Sequence, residues 1–170
     1  MILLTRDLRL VLRVNAVNSL VAEARGEDFD PVPVVKFFSP VSAATWLATE
    51  LYDDDDTLFG LADLGFGCPE LGVFSLSEMA SVRLPFGLGG AAQGSSDAQH
   101  RWKGCGGIER DLSFESIHPI STWADRARRA GSILSAETLL RRAASPPGDD
   151  ELPPPSWKLG LRMTWRPFAA

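Results

Sequence analysis

The spacing of hydrophobic residues along this chain predicts a series of short strands. Runs rich in β-branched and aromatic residues occupy positions 32–38, 45–52, 57–64 and 70–74, and each is bounded by turn-forming residues, which is typical of strands. A fifth strand is expected over 108–115, where apolar and charged residues alternate. Short strands joined by short turns favour an antiparallel meander. We therefore expect an α+β domain in which helices pack on one face of a four- or five-stranded sheet.

Residues that favour helix starts precede several helical patterns. The helices are expected to begin at Thr5, Ser75, Ser121 and Ser135. The pair Ser75 and Glu78 fits S-x-x-E, in which a side-chain oxygen and a backbone N–H satisfy each other at a helix start. The first helix is expected to end near Asn15, and the third at Gly131, a residue type common just after a helix.

Two stretches of biased composition indicate the domain organisation. Residues 87–107 are rich in glycine and small polar residues, which predicts a surface loop, and five prolines lie between Pro146 and Pro155. We therefore predict one α+β domain over residues 1–134, followed at 135–170 by a helix and a proline-rich tail.

Negative charge is concentrated in the middle of the chain. From Glu27 to Glu78 there are eleven acidic residues and one basic residue, Lys36. Four consecutive aspartates, Asp53 to Asp56, predict a turn, because four carboxylates cannot be buried together. Such a segment disfavours direct binding of nucleic acid and favours a protein partner with a basic surface. The alternative is a solvated face that serves only solubility.

Pairing the second and third strands across the aspartate turn brings together a mixed set of side chains. Trp46, Glu50, Phe59 and Asp63 are expected on one face. Glu50 and Asp63 would be separated by roughly 13 Å, too far apart for a glycosidase-type carboxylate pair. The same face therefore predicts a partner-facing surface, or a small-molecule pocket with Trp46 at its rim.

The segment DLGFGCPELG, residues 63–72, contains three glycines and Glu70. It matches neither the dinucleotide fingerprint nor the P-loop, so a shaped turn is the simpler interpretation. Further on, Arg110 in IERDLSFE is expected to lie along the core and pair with Glu50, Asp63 or Glu70. The functional alternative is a charged contact for a partner.

The chain offers few residues for metal or nucleophilic chemistry. Cys68, Cys105, His100 and His118 have no zinc-like spacing, and the sequence contains no GxSxG. We predict no catalytic residue, no metal site and no cofactor. Charges interrupt the apolar N-terminal stretch, and no run is long enough to span a membrane, so a cytoplasmic location is expected.

Four motifs carry a resemblance to a known family: KFFSP at 36–40, TWLATELY at 45–52, LFGLADLGFGCPELG at 58–72 and ERDLSF at 109–114. With these motifs the chain resembles a bacterial family of domains of unknown function, encoded on plasmids and integrative elements and often near antirestriction genes. The resemblance covers roughly residues 2–134. It implies that residues 87–107 are an insertion, and it implies no established activity.

The resemblance and the charge pattern together suggest a function. We expect a non-enzymatic accessory protein of a mobile element that acts through an acidic surface, with an antirestriction or anti-CRISPR-like role as one form of this function. The alternative is a small-ligand-binding or hydrolytic protein with a site around Trp46, Glu50, Asp63 and Glu70. The sequence leaves the oligomeric state open. The candidate binding residues are Trp46, Glu50, Asp63, Glu70, Arg110, Asp53, Asp54, Asp55 and Asp56.

Overall fold

The computed structural model describes residues 3–83 and 107–144. Residues 87–106 of the predicted insertion and the proline-rich tail from residue 145 lie outside the described residues. The helices are α1 (Arg6–Arg25), α2 (Leu76–Ser81), α3 (Ile120–Ala130) and α4 (Ile133–Ala144). The strands are β1 (Val35–Phe38), β2 (Thr45–Leu51), β3 (Thr57–Asp63), β4 (Glu70–Ser75) and β5 (Glu109–Arg110).

The strands form an antiparallel sheet in the order β4-β3-β2-β1-β5. The first four follow one another as a meander, because each connection is a short turn. The fifth returns to pair with the outer side of β1. These features confirm the predicted α+β class and the antiparallel sheet.

The register between β2 and β3 differs from the predicted one because β2 contains a bulge. Glu50 pairs with Phe59 as expected, but Ala48 pairs with Gly60, so Thr49 is an extra residue on β2. A bulge shifts every later pair by one position and changes which side chains share a face. Trp46 therefore lies opposite Ala62, and Asp63 lies opposite Thr45.

Helices cover both faces of the sheet rather than the single face that we expected. On one face, Leu12 of α1 and Met79 of α2 pack with Val35 and Phe37 of β1. On the other face, α3 and α4 pack over two paired strand residues, Leu47 and Leu61. In β1 this second face is formed by Lys36 and Phe38, and the charged residue in the middle of the strand weakens the sequence signal for a second buried face.

α1 is much longer than predicted. Thr5 caps it as expected, accepting a hydrogen bond from the Leu8 N–H at 3.3 Å, but the helix continues past Asn15 to Arg25 and ends at a left-handed Gly26. The missed half is buried through the small residues Ala16 and Ala22 and through Asn15, whose amide donates to the Thr49 carbonyl at 2.9 Å. Small and polar residues on the buried face weaken the hydrophobic signal on which the prediction depended.

The predicted fifth strand is shortened to two residues by a turn at Asp111. The Asp111 carboxylate accepts hydrogen bonds from both the N–H and the hydroxyl of Ser113, at 3.0 and 2.9 Å. Such side-chain bonds compete with strand pairing. The chain therefore leaves the sheet after Arg110.

The start positions of the last two helices also differ from the prediction. Ser121 lies inside α3, and its N–H and hydroxyl donate to the Asp30 carboxylate. α4 begins at Ile133, and the Ser132 hydroxyl accepts from the Ser135 N–H. Ile133, Ala136 and Leu140 of α4 are buried against α3 and the sheet.

Among the described residues, no helix is long and apolar enough to cross a membrane.

Candidate functional site

The aspartate turn joins β2 to β3, and most of its carboxylates have partners inside the protein. Asp54 accepts hydrogen bonds from the Asp56 and Thr57 N–H groups and from the Thr57 hydroxyl. These bonds, with the hydroxyl contributing most, hold the pKa of Asp54 below its ordinary value. Asp54 therefore shapes the turn.

Asp55 and Asp56 tie the same turn to two helices. Asp55 has a positive φ of 61°, and its carboxylate forms ion pairs with Arg9 and Arg13 of α1 at 3.3 and 2.9 Å. Asp56 accepts from the Ser75 hydroxyl at 2.6 Å and from the Ser77 N–H at 2.6 Å, at the start of α2. The Ser75 bond is the largest cause of a lowered pKa at Asp56.

Asp63, a predicted site residue, is buried and structural. One carboxylate oxygen accepts from the Gly65 N–H at 2.8 Å, and the other accepts from the Ile133 N–H at 2.9 Å. The carboxylate thus satisfies a backbone donor at the start of α4, where the helix dipole also favours negative charge. It joins the end of β3 to a helix seventy positions later in the sequence.

The other predicted site residues do not converge on Asp63. Trp46 packs against the cluster on the α1 side of the sheet, whereas Glu70 is exposed at the start of the edge strand β4. Arg110 donates to the Leu3 carbonyl at 3.4 Å. Among the ion pairs of the described residues there is none between Arg110 and Glu50, Asp63 or Glu70, so the expected pairing is wrong.

A buried lysine forms a charge cluster that sequence analysis did not identify. The Nζ atom of Lys36 lies 2.7 Å from Glu137 and 3.2 Å from Asp111, with the Phe114 ring 5.9 Å away. Glu137 also pairs with Arg141 at 2.7 Å. Burial would raise the pKa of Asp111, but hydrogen bonds from Ser113 and the charge of Lys36 outweigh it and lower the pKa.

This cluster joins β1, the turn after β5, and α4, so its first role is to hold the fold together. One signal in the sequence could have indicated it: Lys36 is the single basic residue in the acidic segment, and it is flanked by apolar residues within a strand. A lysine in that position has to find carboxylate partners when it is buried.

A cavity of about 410 Å³ lies between the second half of α1 and the end of β2. Three carboxylates line it, from Glu23, Glu50 and Asp53, together with the apolar side chains of Val17 and Leu20. We call it the acidic cavity. Its volume falls within the usual range for sites that hold a small molecule or a side chain, roughly 300–1,000 Å³.

Glu50 is the most buried of the three carboxylates, with a relative exposure of 6%. Burial raises the pKa of Glu50, and a hydrogen bond from Ser19 offsets part of that effect. Burial and the nearby charge of Glu50 also raise the pKa of Tyr52. A neighbouring cation would therefore stabilise the negative charge of the buried Glu50 carboxylate.

An apolar stripe on α1 borders the acidic cavity. Leu10, Val14, Val17 and Val21 recur at helical spacing and are 42–66% exposed together with their neighbour Leu20. We call these five residues the α1 stripe. Residues at i, i+4, i+7 and i+11 lie along one side of a helix, here over about 16 Å. The opposite side of α1 packs on the sheet, so the helix is apolar on two sides.

Single exposed apolar residues are common on protein surfaces, but a contiguous row beside a charged cavity is typical of an interaction site. The sequence carried this signal too, because the valines and leucines of the stripe repeat at helical spacing past Asn15. The predicted end of the helix at that residue concealed the repeat.

In a comparison with protein families, the chain matches a model described as a protein of unknown function (DUF2958), over residues 3–101 and 97–134. The chain belongs to this family. The match ends within α4, so the residues that follow lie outside it. Comparisons with curated proteins and with solved structures give no significant match.

Proposed function

We propose that this member of the DUF2958 family is a cytoplasmic, non-enzymatic interaction protein that binds a partner through the α1 stripe and the acidic cavity. The observation that carries the proposal is the position of the two features side by side, with Val17 and Leu20 belonging to both. Apolar contact would supply binding energy, and the carboxylates would select a partner with basic side chains.

The chemistry of the cavity favours an arginine or lysine of the partner as its occupant. Among the described residues that line the cavity, Glu23, Glu50 and Asp53 occur with one cation, Arg13, which already pairs with Asp55. A cationic side chain placed beside Glu50 would compensate its carboxylate for the contact with water that burial has removed. Binding sites often concentrate their energy in one such desolvated contact surrounded by apolar residues.

The positions of the four residues of the alternative site support a binding function better than a catalytic one. Trp46, Asp63 and Glu70 are not among the described residues that line the acidic cavity with Glu50, and Asp63 already satisfies two backbone donors. A hydrolytic mechanism would need an acid and a base within reach of one substrate.

A more specific form of the proposal is an accessory protein of a mobile element that acts against host defence. Carboxylates near the α1 stripe would then occupy a basic groove that normally holds nucleic acid. The motif resemblance and the acidic segment 27–78 support this form. Asp54, Asp55 and Asp56 have internal partners, so Glu23 and Asp53 are the better contact residues.

Site-specific photo-crosslinking in cells of the native host tests the proposal. Benzoylphenylalanine placed at Val17 is expected to crosslink one defined partner. The matched control is Leu112, which is 77% exposed on the α4 side of the sheet. Reversing Glu23 and Asp53 to lysine is expected to abolish the product. A product of equal yield from both positions would contradict the proposal. So would the absence of a product from Val17 both in the natural chain and in a variant with Lys158, Arg162 and Arg166 reversed to glutamate.

A further inference from the structure

The last part of the given sequence combines apolar and basic residues, which suit the apolar α1 stripe and the acidic cavity beside it. Between residues 157 and 166, every second residue is large and apolar: Trp157, Leu159, Leu161, Met163 and Trp165. The intervening residues include Lys158, Arg162 and Arg166, and no acidic residue occurs after Glu151. We call residues 157–168 the basic tail. It lies outside the described residues and outside the family match.

The end of α4 lies on the other face of the sheet from α1, so the basic tail has to pass around the sheet to reach the stripe. Leu140 and Arg141, near the end of α4, line a cavity with Trp123 of α3. The start of α3 is bonded to the segment that follows α1, because the Ile120 N–H donates to the Pro31 carbonyl at 2.9 Å. The twelve residues from 145 to 156 can span about 37–40 Å when extended.

We propose that the basic tail of the same chain docks on the α1 stripe, beside the acidic cavity. The dimensions agree, since alternate residues from 157 to 161 or 163 of an extended segment cover about 13–20 Å and the stripe is about 16 Å long. The charges are complementary, since the tail carries three basic residues and the acidic cavity is lined by Glu23, Glu50 and Asp53.

A second copy of the chain is a poorer occupant of the stripe. A symmetric dimer across α1 would bring the acidic cavity of one copy against the same surface of the other, which places like charges together. The basic tail has the opposite charge and is covalently attached, which raises its effective concentration at the stripe.

The inference rests on the proposed function and adds a form of regulation to it. The tail and the partner use the same surface, so a partner has to displace the tail. Weakening the tail should strengthen partner binding, since the fraction of chains with a free stripe increases.

Photo-crosslinking of the purified full-length protein tests the docking directly. With benzoylphenylalanine at Val17, irradiation followed by endoproteinase Glu-C is expected to join the α1 peptide to the peptide after Glu151. The yield should be independent of protein concentration. The same group at Leu112 should give no such product. Reversing Lys158, Arg162 and Arg166 to glutamate should lower the yield about tenfold.

The matched control reverses three exposed arginines of α3, Arg126, Arg128 and Arg129, and should leave the yield unchanged. A crosslink that grows with concentration and joins two chains would overturn the proposal in favour of a second copy. No crosslink from Val17 to the tail would overturn it outright, as would equal effects of the two triple reversals.

The same tail variant separates this inference from the proposed function. If it gives a partner crosslink in host cells while the purified protein gives no tail crosslink, the docking is wrong and the function stands. If the tail crosslink forms but neither the full chain nor the tail variant gives a partner crosslink, the proposed function is wrong and the docking stands.

Discussion

The Nζ atom of Lys36 lies 2.7 Å from Oε2 of Glu137, in an ion pair whose side chains are 9% and 12% exposed. The two residues are 101 positions apart, and the pair joins β1 to α4 across one face of the sheet. Because both charges are largely removed from water, neither can lose its partner without a substantial cost.

Replacing Lys36 by methionine is expected to lower the free energy of unfolding by about 3 kcal/mol, because Glu137 and Asp111 lose their shared cation inside the protein. Urea denaturation measures the change. The double variant Lys36→Met, Glu137→Met should recover part of the loss. Arg129→Met, which removes an exposed pair, should change stability by less than about 0.5 kcal/mol. Equal effects of Lys36→Met and Arg129→Met would contradict a stabilising role for the buried pair.

Asp63→Ala is expected to cost about 2–3 kcal/mol, because the N–H groups of Gly65 and Ile133 would both lose their acceptor. Hydrogen exchange should show faster opening at the start of α4. Asp125→Ala, on the exposed face of α3, is the control and should stay within about 0.5 kcal/mol. A loss of stability with unchanged exchange in α4 would show that Asp63 does not hold the helix start.

Gly60 and Gly72 face each other across β3 and β4 and form a matched pair for substitution. A Cβ atom on Gly60 would lie 1.8 Å from the Leu47 carbonyl oxygen, whereas a Cβ atom on Gly72 has nothing within 4 Å. Gly60→Ala is therefore expected to destabilise the sheet by about 3 kcal/mol or more, and Gly72→Ala to be neutral or slightly stabilising. Thermal unfolding distinguishes them. Similar melting temperatures for the two variants would refute the predicted close approach.

The aspartate turn predicts a loss of stability in acid. The folded-state pKa values of Asp54 and Asp56 lie below those of the unfolded chain, so their contribution is present above about pH 4 and is lost as the pH falls through the folded values. The double variant Asp54→Asn, Asp56→Asn should have a flatter stability profile below about pH 4 than the natural chain. Denaturant unfolding at a series of pH values checks this. Parallel profiles would exclude the two carboxylates as the cause.

For Glu50 we expect the opposite dependence of folding stability on pH. Its folded-state pKa is raised, so its contribution is present at low pH and is lost as the pH rises through that value. Glu50→Gln should therefore become more stable relative to the natural chain as the pH rises from about 4 to 7. The exposed Glu70→Gln is the control for removing one carboxylate. A difference between Glu50→Gln and the natural chain that does not change with pH would mean that burial of Glu50 has no energetic consequence.

Several elements could be predicted from the sequence because their signals are local. The Ser75 cap of α2, the four-strand meander and the aspartate turn each depend on residues within a few positions of one another. The family motifs also lie within these elements. Local hydrogen bonding and alternation of side chains are sufficient to specify such features.

The tertiary structure decided what depends on pairing between distant residues. One extra residue at Thr49 shifted the register, so that Asp63 lies opposite Thr45 instead of Trp46, which no local sequence pattern predicts. Burial of Lys36 required partners from the turn after β5 and from α4, and the position of Asp63 followed from a helix that begins seventy residues later. The α1 stripe became visible as a surface only when the other side of α1 was found packed on the sheet, because the sequence records which residues are apolar but not which side the fold covers.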